Sequence, residues 1–226
     1  KVDTTIQDNG SWTFGGHTFR SGHPNGPTNL RRSIIKSSNV YYYMLANDMG
    51  VDTIHEYLSP MGFGQQTGID LVGEARGVLP STEWKRNTYK RPEQKKWYAG
   101  ETISLGIGQR YNHFTMLQLA HATARLANHG IQHRPHLGKG TVDAVTRAYS
   151  PLYKDAGTSM GYKPEHVEAV RSAVAAVTVE GTARGVFGGA PYTSAGKTGT
   201  AQAVSVGQKD KYNAAKLAEH QRDHSL

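Results

Sequence analysis

Residues 114–129, FTMLQLAHATARLANH, carry apolar side chains at positions 114, 116, 117, 119, 120, 124, 126 and 127. That spacing predicts a helix with a broad buried face, closed by Gly130. Such a helix needs other elements to cover it, and further helical stretches are present. NLRRSIIK reads as a helix with Thr28 as its N-cap, and VYYYMLANDMG as a second one ended by Gly50. VDTIHEYLSPMG reads as a third, from an Asp52 cap to Gly62, and residues 164–179 as another with Pro164 in its first turn. IQHRPHL and YTSAGKTGTAQAV read as strands. Residues 1–27 read as loop with one short extended piece at SWTFGGHTFRSG, and EGTARGVFGGAP as a glycine-rich turn. Residues 63–113 are rich in Gly and Pro, with one short helix at STEWKR; so long an irregular stretch is more often functional than filler.

The chain has 226 residues, enough for one domain with a core of its own. Hydrophobic residues make up 37% of it, and no run approaches the ~18 apolar residues that a membrane-spanning helix needs. The net charge of +8 permits attraction to anionic polymers, but the cations are scattered: Arg31, Arg32 and Lys36, then Lys85 to Lys96, then Lys209, Lys211 and Lys216. Without a basic tract they read as a solvated surface, not a nucleic-acid site. Cysteine is absent, which excludes disulfides and thiol catalysis and removes the commonest structural zinc ligands. His129, His133 and His136 lie close in sequence, but no H-E-x-x-H or spaced carboxylate completes a metal site. One or two of Tyr41 to Tyr43 read as core residues of a helix. GIGQ, with Gly106 and Gly108, lacks the G-K-[ST] of a phosphate loop. Neither a metal nor a cofactor is expected.

The sharpest local signal is KTGT, Lys197 to Thr200. On a strand, Lys197 supplies a fixed cation and the threonine hydroxyls donate to a carboxylate. Gly199 leaves room for a substrate backbone to lie against the strand. S-x-N, Ser37 to Asn39, stands 160 residues earlier. It overlaps the neighbourhood of an S-x-x-K, Ser33 to Lys36. A lysine at i+3 on a helix is able to activate a serine. A nucleophile and its assisting S-x-N must nevertheless approach a substrate from different sides, which adjacent turns of one segment do not allow. Ser33 is therefore read as an accident of composition, and Lys36 as an ordinary cation at a helix C-terminus.

The order S-x-N then K-T-G is that of serine penicillin-binding proteins and β-lactamases. The stretches TGIDLVGEARGVLPSTEWKR, GETISLGIGQRYNHFTMLQLAHATARLANHG and VEGTARGVFGGAPYTSAGKTGTAQ resemble the transpeptidase domain of class B penicillin-binding proteins. SSNVYYYMLANDMGVDTI and NAAKLAEHQRDHSL are similar to the elongation-specific branch of that family. The resemblance runs from about residue 10 onward. It implies an α+β fold, a five-stranded antiparallel sheet flanked by helices, and no cofactor. It also implies a D,D-transpeptidase that cross-links peptidoglycan stem peptides ending in D-Ala-D-Ala through an acyl-serine, and that β-lactams acylate. Ser37 then matches the proton-relay serine and Asn39 the amide that orients the substrate. Lys197, Thr198, Gly199 and Thr200 match the strand that binds the terminal carboxylate and flanks the oxyanion site. The expected setting is the periplasm, anchored to the inner membrane, with a membrane glycosyltransferase and other elongation-complex proteins as partners.

The family's S-x-x-K precedes S-x-N with structure between them, so it is expected upstream of residue 1. The last sheet strands are expected beyond DHSL. The chain thus reads as residues 1–226 of an incomplete transpeptidase domain, inactive without its nucleophile. A D,D-carboxypeptidase or β-lactamase of the same fold is the near alternative. A non-enzymatic basic module that binds nucleic acid or another anionic polymer is the distant one.

Overall fold

The computed structural model describes residues 3–202 and 213–225. In chain order the elements are β1 (Ile6–Asp8), β2 (Ser11–Phe14), β3 (His17–Arg20), β4 (Gly26–Thr28), α1 (Leu30–Lys36), α2 (Asn39–Met49) and α3 (Val51–Leu58). Then follow α4 (Thr82–Thr88), α5 (Pro92–Lys95), α6 (Ala99–Leu105), α7 (Met116–Ala127), β5 (Ile131–Gln132), β6 (Gly140–Val142), β7 (Tyr149–Pro151) and β8 (Thr158–Ser159). The chain closes with α8 (Pro164–Glu180), α9 (Arg184–Phe187), β9 (Thr200–Ala201) and β10 (His224–Ser225). The strands form two-stranded antiparallel pairs, β1 with β4, β2 with β3, β5 with β8, β6 with β7, and β9 with β10. The α+β composition agrees with expectation. A continuous five-stranded sheet is not formed among the described residues. The chain divides into unit 1, residues 1–48, 98–110 and 172–226, and unit 2, residues 49–97 and 111–171.

Unit 1 begins with more strand than the loop and one short extended piece expected for residues 1–27. Gly15 and Gly16 both take positive φ, +55° and +77°, which makes a two-residue turn of the twist that a hairpin needs. β2 and β3 then pair with Phe14 opposite His17. Phe19 of the hairpin packs against Tyr43 of α2 with ring centroids 5.4 Å apart and planes tilted by 49°, and the Tyr43 hydroxyl donates to the Arg20 carbonyl at 3.1 Å. Thr28, expected as a helix cap, is instead buried in β4; Asn29 caps α1 by accepting from the Arg32 amide. Asn29 wins because the Thr28 hydroxyl donates locally to the Gly26 carbonyl. The unit's core is Ile34, Ile35, Val40, Tyr41, Tyr43, Ala46, Ile103, Leu105, Ala173, Ala176 and Val177. Tyr41 and Tyr43 are core residues, as their spacing predicted.

In unit 2 the short helix expected at STEWKR is α4, and the irregular region also holds α5, a single turn too short to give a visible period. Gly50, not Asp52, precedes the first turn of α3; the Asp52 carboxylate accepts from the amide and hydroxyl of Thr82. Only Ile131 and Gln132 of IQHRPHL are paired as strand. α7 lies where predicted, but the residues it buries are Gln118, Ala122 and Arg125, while Met116 is exposed. Gln118 is 1% exposed. Its amide nitrogen donates to the Gln65 and Arg76 carbonyls, both at 2.6 Å, and its oxygen accepts from the Thr115 amide at 3.1 Å. A polar side chain thus ties the irregular loop to the helix, which apolar periodicity could not reveal. Gln118→Ala removes a buried amide that serves two part-buried carbonyls and is expected to cost about 2–3 kcal/mol, read from urea denaturation. A loss below about 0.5 kcal/mol would show that water replaces the amide.

Candidate active site

Ser37 is the C-cap of α1 and takes the left-handed conformation, φ 55° and ψ 47°. Its amide bonds back to Ile34, so the turn that ends α1 presents the Ser37 side chain away from the helix. The next residue, Ser38, is fully buried. Its hydroxyl accepts from the Tyr41 amide at 3.2 Å, capping α2, and donates to Asp8 at 2.5 Å. Asn39 opens α2 and is half-buried. S-x-N is therefore a tight joint between two helices, with the outer residues half-buried and the middle one anchored inside.

Asp8 was not singled out from sequence. It is fully buried in β1 and accepts from Ser38, from Asn25 Nδ2 at 2.8 Å and from the Gly10 amide at 2.8 Å. Burial alone would raise its pKa. The hydrogen bonds from Asn25, Ser38 and Gly10, with the nearby His23, together outweigh burial and hold the carboxyl below its ordinary value.

The second motif reaches S-x-N through space. Lys197 Nζ donates to Ser37 Oγ at 2.7 Å and to the Thr198 carbonyl at 2.7 Å. Lys197 is exposed as a residue, yet the surroundings of its ammonium desolvate it and lower its pKa. Thr198 Oγ1 lies 3.1 Å from Thr182 Oγ1. The Thr200 carbonyl accepts from Gln109 Nε2 at 2.9 Å. Gly199 is exposed between the two threonines. The strand predicted for YTSAGKTGTAQAV is limited to Thr200 and Ala201, the two residues that find partners, in Ser225 and His224. Lys197 to Gly199 precede it as irregular chain, and residues 203 and 204 lie outside the described residues.

What brings the motifs together is the end of α8. Thr182 N donates to the Ile35 carbonyl at 3.3 Å, and Lys36 Nζ donates to the Glu180 carbonyl at 3.2 Å. Arg31 and Glu180 form an ion pair at 2.7 Å. Gly181 permits this approach, because a Cβ there would stand 2.6 Å from the Ile35 carbonyl. Thr182 and Gln109 are thus supports that sequence reasoning missed. The only signals were EGT ahead of the glycine-rich turn, which now contains α9, and the Gln of GIGQ.

Ser33 is placed differently. It is 0% exposed, and its hydroxyl donates to the Leu30 carbonyl at 2.7 Å and lies 3.2 Å from the Tyr42 hydroxyl. Lys36 is turned to Glu180. Ser33 has neither access nor an activating lysine. A cavity of about 840 Å³ in unit 1 is lined by residues such as Thr178, Arg184 and Tyr192, and by neither motif. Among the described residues, His129 pairs with Glu168 and Arg171, His133 with Asp155, and His136 bonds the Gly138 carbonyl.

The sequence matches the penicillin-binding protein transpeptidase domain over residues 1–220. The chain belongs to that family. It is 40% identical to the peptidoglycan D,D-transpeptidase MrdA of Haemophilus influenzae, over 99% of this chain and 34% of that protein. It is 42% identical to MrdA of Acinetobacter baumannii, over 99% of this chain and 33% of that protein. Among solved structures it is similar to PBP2 of Pseudomonas aeruginosa, with 37% identity and a TM-score of 0.74 over 89% of this chain and 45% of that one. It is also similar to PBP2 in its complex with MreC from Helicobacter pylori, with 26% identity and a TM-score of 0.81 over 100% of this chain and 38% of that one. The chain spans about a third of the length of the curated relatives it matches.

Proposed function

We propose that this chain supplies two walls of the active site of a peptidoglycan D,D-transpeptidase acting in cell elongation. The observation that carries the proposal is the contact between Lys197 and Ser37, two motif residues 160 positions apart, at 2.7 Å. In the reaction a serine oxygen attacks the carbonyl of the D-Ala-D-Ala bond, the terminal D-Ala leaves as an amine, and the amine of a second stem peptide displaces the serine. The leaving amine needs a proton. Because Lys197 donates to Ser37 Oγ, the Ser37 hydroxyl hydrogen is free to point at that amine, and Lys197 replaces the proton that Ser37 gives up. The partly desolvated ammonium also attracts the terminal carboxylate, to which Thr198 and Thr200 offer hydroxyls beside the open Gly199. Asn39 orients the peptide from the opposite side.

The nucleophile is assigned to an S-x-x-K preceding residue 1, in keeping with the family's order and with the burial of Ser33. Stem peptides and β-lactams are the proposed ligands, and the periplasmic face of the inner membrane the proposed setting. The MrdA relatives and the H. pylori complex with MreC support partners in an elongation complex; a membrane glycosyltransferase is a further proposed partner. A neighbour at 30% identity and TM-score 0.74, from a peptidoglycan synthase complex, supports the same reading.

The test is a contrast in the intact protein. Ser33→Ala is expected to acylate with a fluorescent penicillin within a few-fold of wild type. Ser37→Ala is expected to be slower by about 10²-fold, the scale of a lost proton-transfer group. The opposite order would make Ser33 the nucleophile and overturn the site.

A further inference from the structure

Unit 2 contains a buried cation without a counter-charge. Arg125, on α7, is 9% exposed, and no carboxylate lies within ion-pair distance of it among the described residues. Its Nη1 donates to the Pro60 carbonyl at 2.8 Å and its Nη2 to His121 Nδ1 at 3.5 Å. Its buried Nε has no partner among the described residues. His121 adds no second cation beside it: burial first, and the Arg125 charge with it, lower its pKa, and its Nε2–H donates to the His133 carbonyl at 2.8 Å. Holding a guanidinium away from water with no anion beside it is unfavourable, and native proteins seldom do so without a ligand to complete the pair.

Arg125 borders a cavity of about 550 Å³, whose other charged linings are Arg134, Lys154 and Asp155. The Arg134 guanidinium stands 4.7 Å over the Tyr153 ring and donates its Nε to the Gly68 carbonyl at 2.6 Å. Those contacts fix the plane of the guanidinium. Its two Nη groups have no hydrogen-bond partner among the described residues. Asp155 offsets only one of the three positive charges. It is held by the amides of Arg134 at 2.7 Å and Gly157 at 2.8 Å, with His133 at 3.5 Å. Three permanent cations thus face one committed carboxylate, in a volume suited to a small ligand.

We propose that this cavity binds an oxyanion, a carboxylate or phosphate group engaged by the free Nη fork of Arg134, with Lys154 and the buried Arg125 supplying the charge behind it. The geometry is that of planar, forked recognition on an aromatic support, and every residue involved belongs to unit 2. The site is independent of the motifs in unit 1, so its test does not depend on the transpeptidase reading.

The experiment is thermal melting of the purified protein with inorganic phosphate, malonate or chloride at matched ionic strength. Phosphate or malonate is expected to raise the melting temperature saturably above chloride. A response to malonate alone identifies a carboxylate ligand, to phosphate alone a phosphate, and to both the shared oxyanion chemistry. Arg134→Met is expected to weaken the apparent affinity at least tenfold. Arg86→Met makes the same charge change at an exposed position outside the cavity and is expected to leave the affinity unchanged. Arg125→Met removes the unpaired charge, together with the bond to the Pro60 carbonyl, and is expected to lose the anion response. Should Arg125→Met fail to fold, Arg134→Met and Lys154→Ala, both at exposed positions, decide the question. Equal effects of chloride and the oxyanions, or equal responses of Arg134→Met and Arg86→Met, would overturn the proposal.

Discussion

Lys197→Ala in the intact protein is expected to slow acylation by a penicillin by about 10²–10³-fold, the scale of losing one charged donor from a preorganised site. The variant removes the only observed link between K-T-G-T and the Ser37 hydroxyl among the described residues, and the cation that faces a substrate carboxylate. It leaves the supports of the strand in place, because Gln109 bonds the Thr200 carbonyl and Thr182 lies beside Thr198 independently of Lys197. The fold should therefore survive, and circular dichroism should match wild type. The pH dependence is a second reading. Desolvation lowers the Lys197 pKa, so its ammonium loses its proton at lower pH than a free lysine. The wild-type rate should fall along an alkaline limb placed below the ordinary lysine value, and that limb should be missing in Lys197→Ala. An unchanged acylation rate would remove Lys197 from the site.

Asp8→Ala is expected to cost about 3–5 kcal/mol of stability, the scale of stripping one partner from a buried, hydrogen-bonded charge. Three donors lose their acceptor at once: the Ser38 hydroxyl, the Asn25 amide and the Gly10 amide. The first of these also caps α2, so the joint that presents Ser37 and Asn39 should loosen, and acylation should slow as well. The sign of the acid response follows from the direction of the shift. The folded pKa lies below the unfolded one, so between the two the unfolded chain binds more protons and stability rises with pH. The contribution of Asp8 is complete above the unfolded value of about 4 and is lost as pH falls through the folded value. Urea denaturation at neutral pH and in acid should show the gap between wild type and Asp8→Ala narrowing in acid. A gap that is small at neutral pH, or that widens in acid, would mean that water satisfies the three donors.

Several elements were legible from local pattern. α2, α7 and α8 fall where helical spacing and terminal glycine or proline put them, because these signals act over one or two turns. K-T-G-T and S-x-N were recognisable as residue types in an order. The β2–β3 hairpin falls on SWTFGGHTFRSG, expected as one short extended piece; its glycine pair marks the turn that divides the piece into two strands. Buried polar anchors such as Asp8, Gln118 and Arg125 were invisible for a physical reason. A polar residue in sequence reads as exposed, and only its partners, supplied by distant segments, make burial tolerable.

The two serines of RRSIIKSSN show where sequence stops. By itself the sequence determined that a helix would run through Ser33 and end near Ser37, and that each serine would have a lysine in some chemical relation to it. Which serine is reachable was decided by packing. α1 turns Ser33 into the core, where its hydroxyl is consumed by the backbone of the preceding turn. The end of α8 takes Lys36 for its own carbonyl, and the chain that follows it carries Lys197 to Ser37. Those contacts join residues 144 and 160 positions apart. No local propensity encodes them; they exist because the ends of two helices dock where a glycine lets their backbones meet.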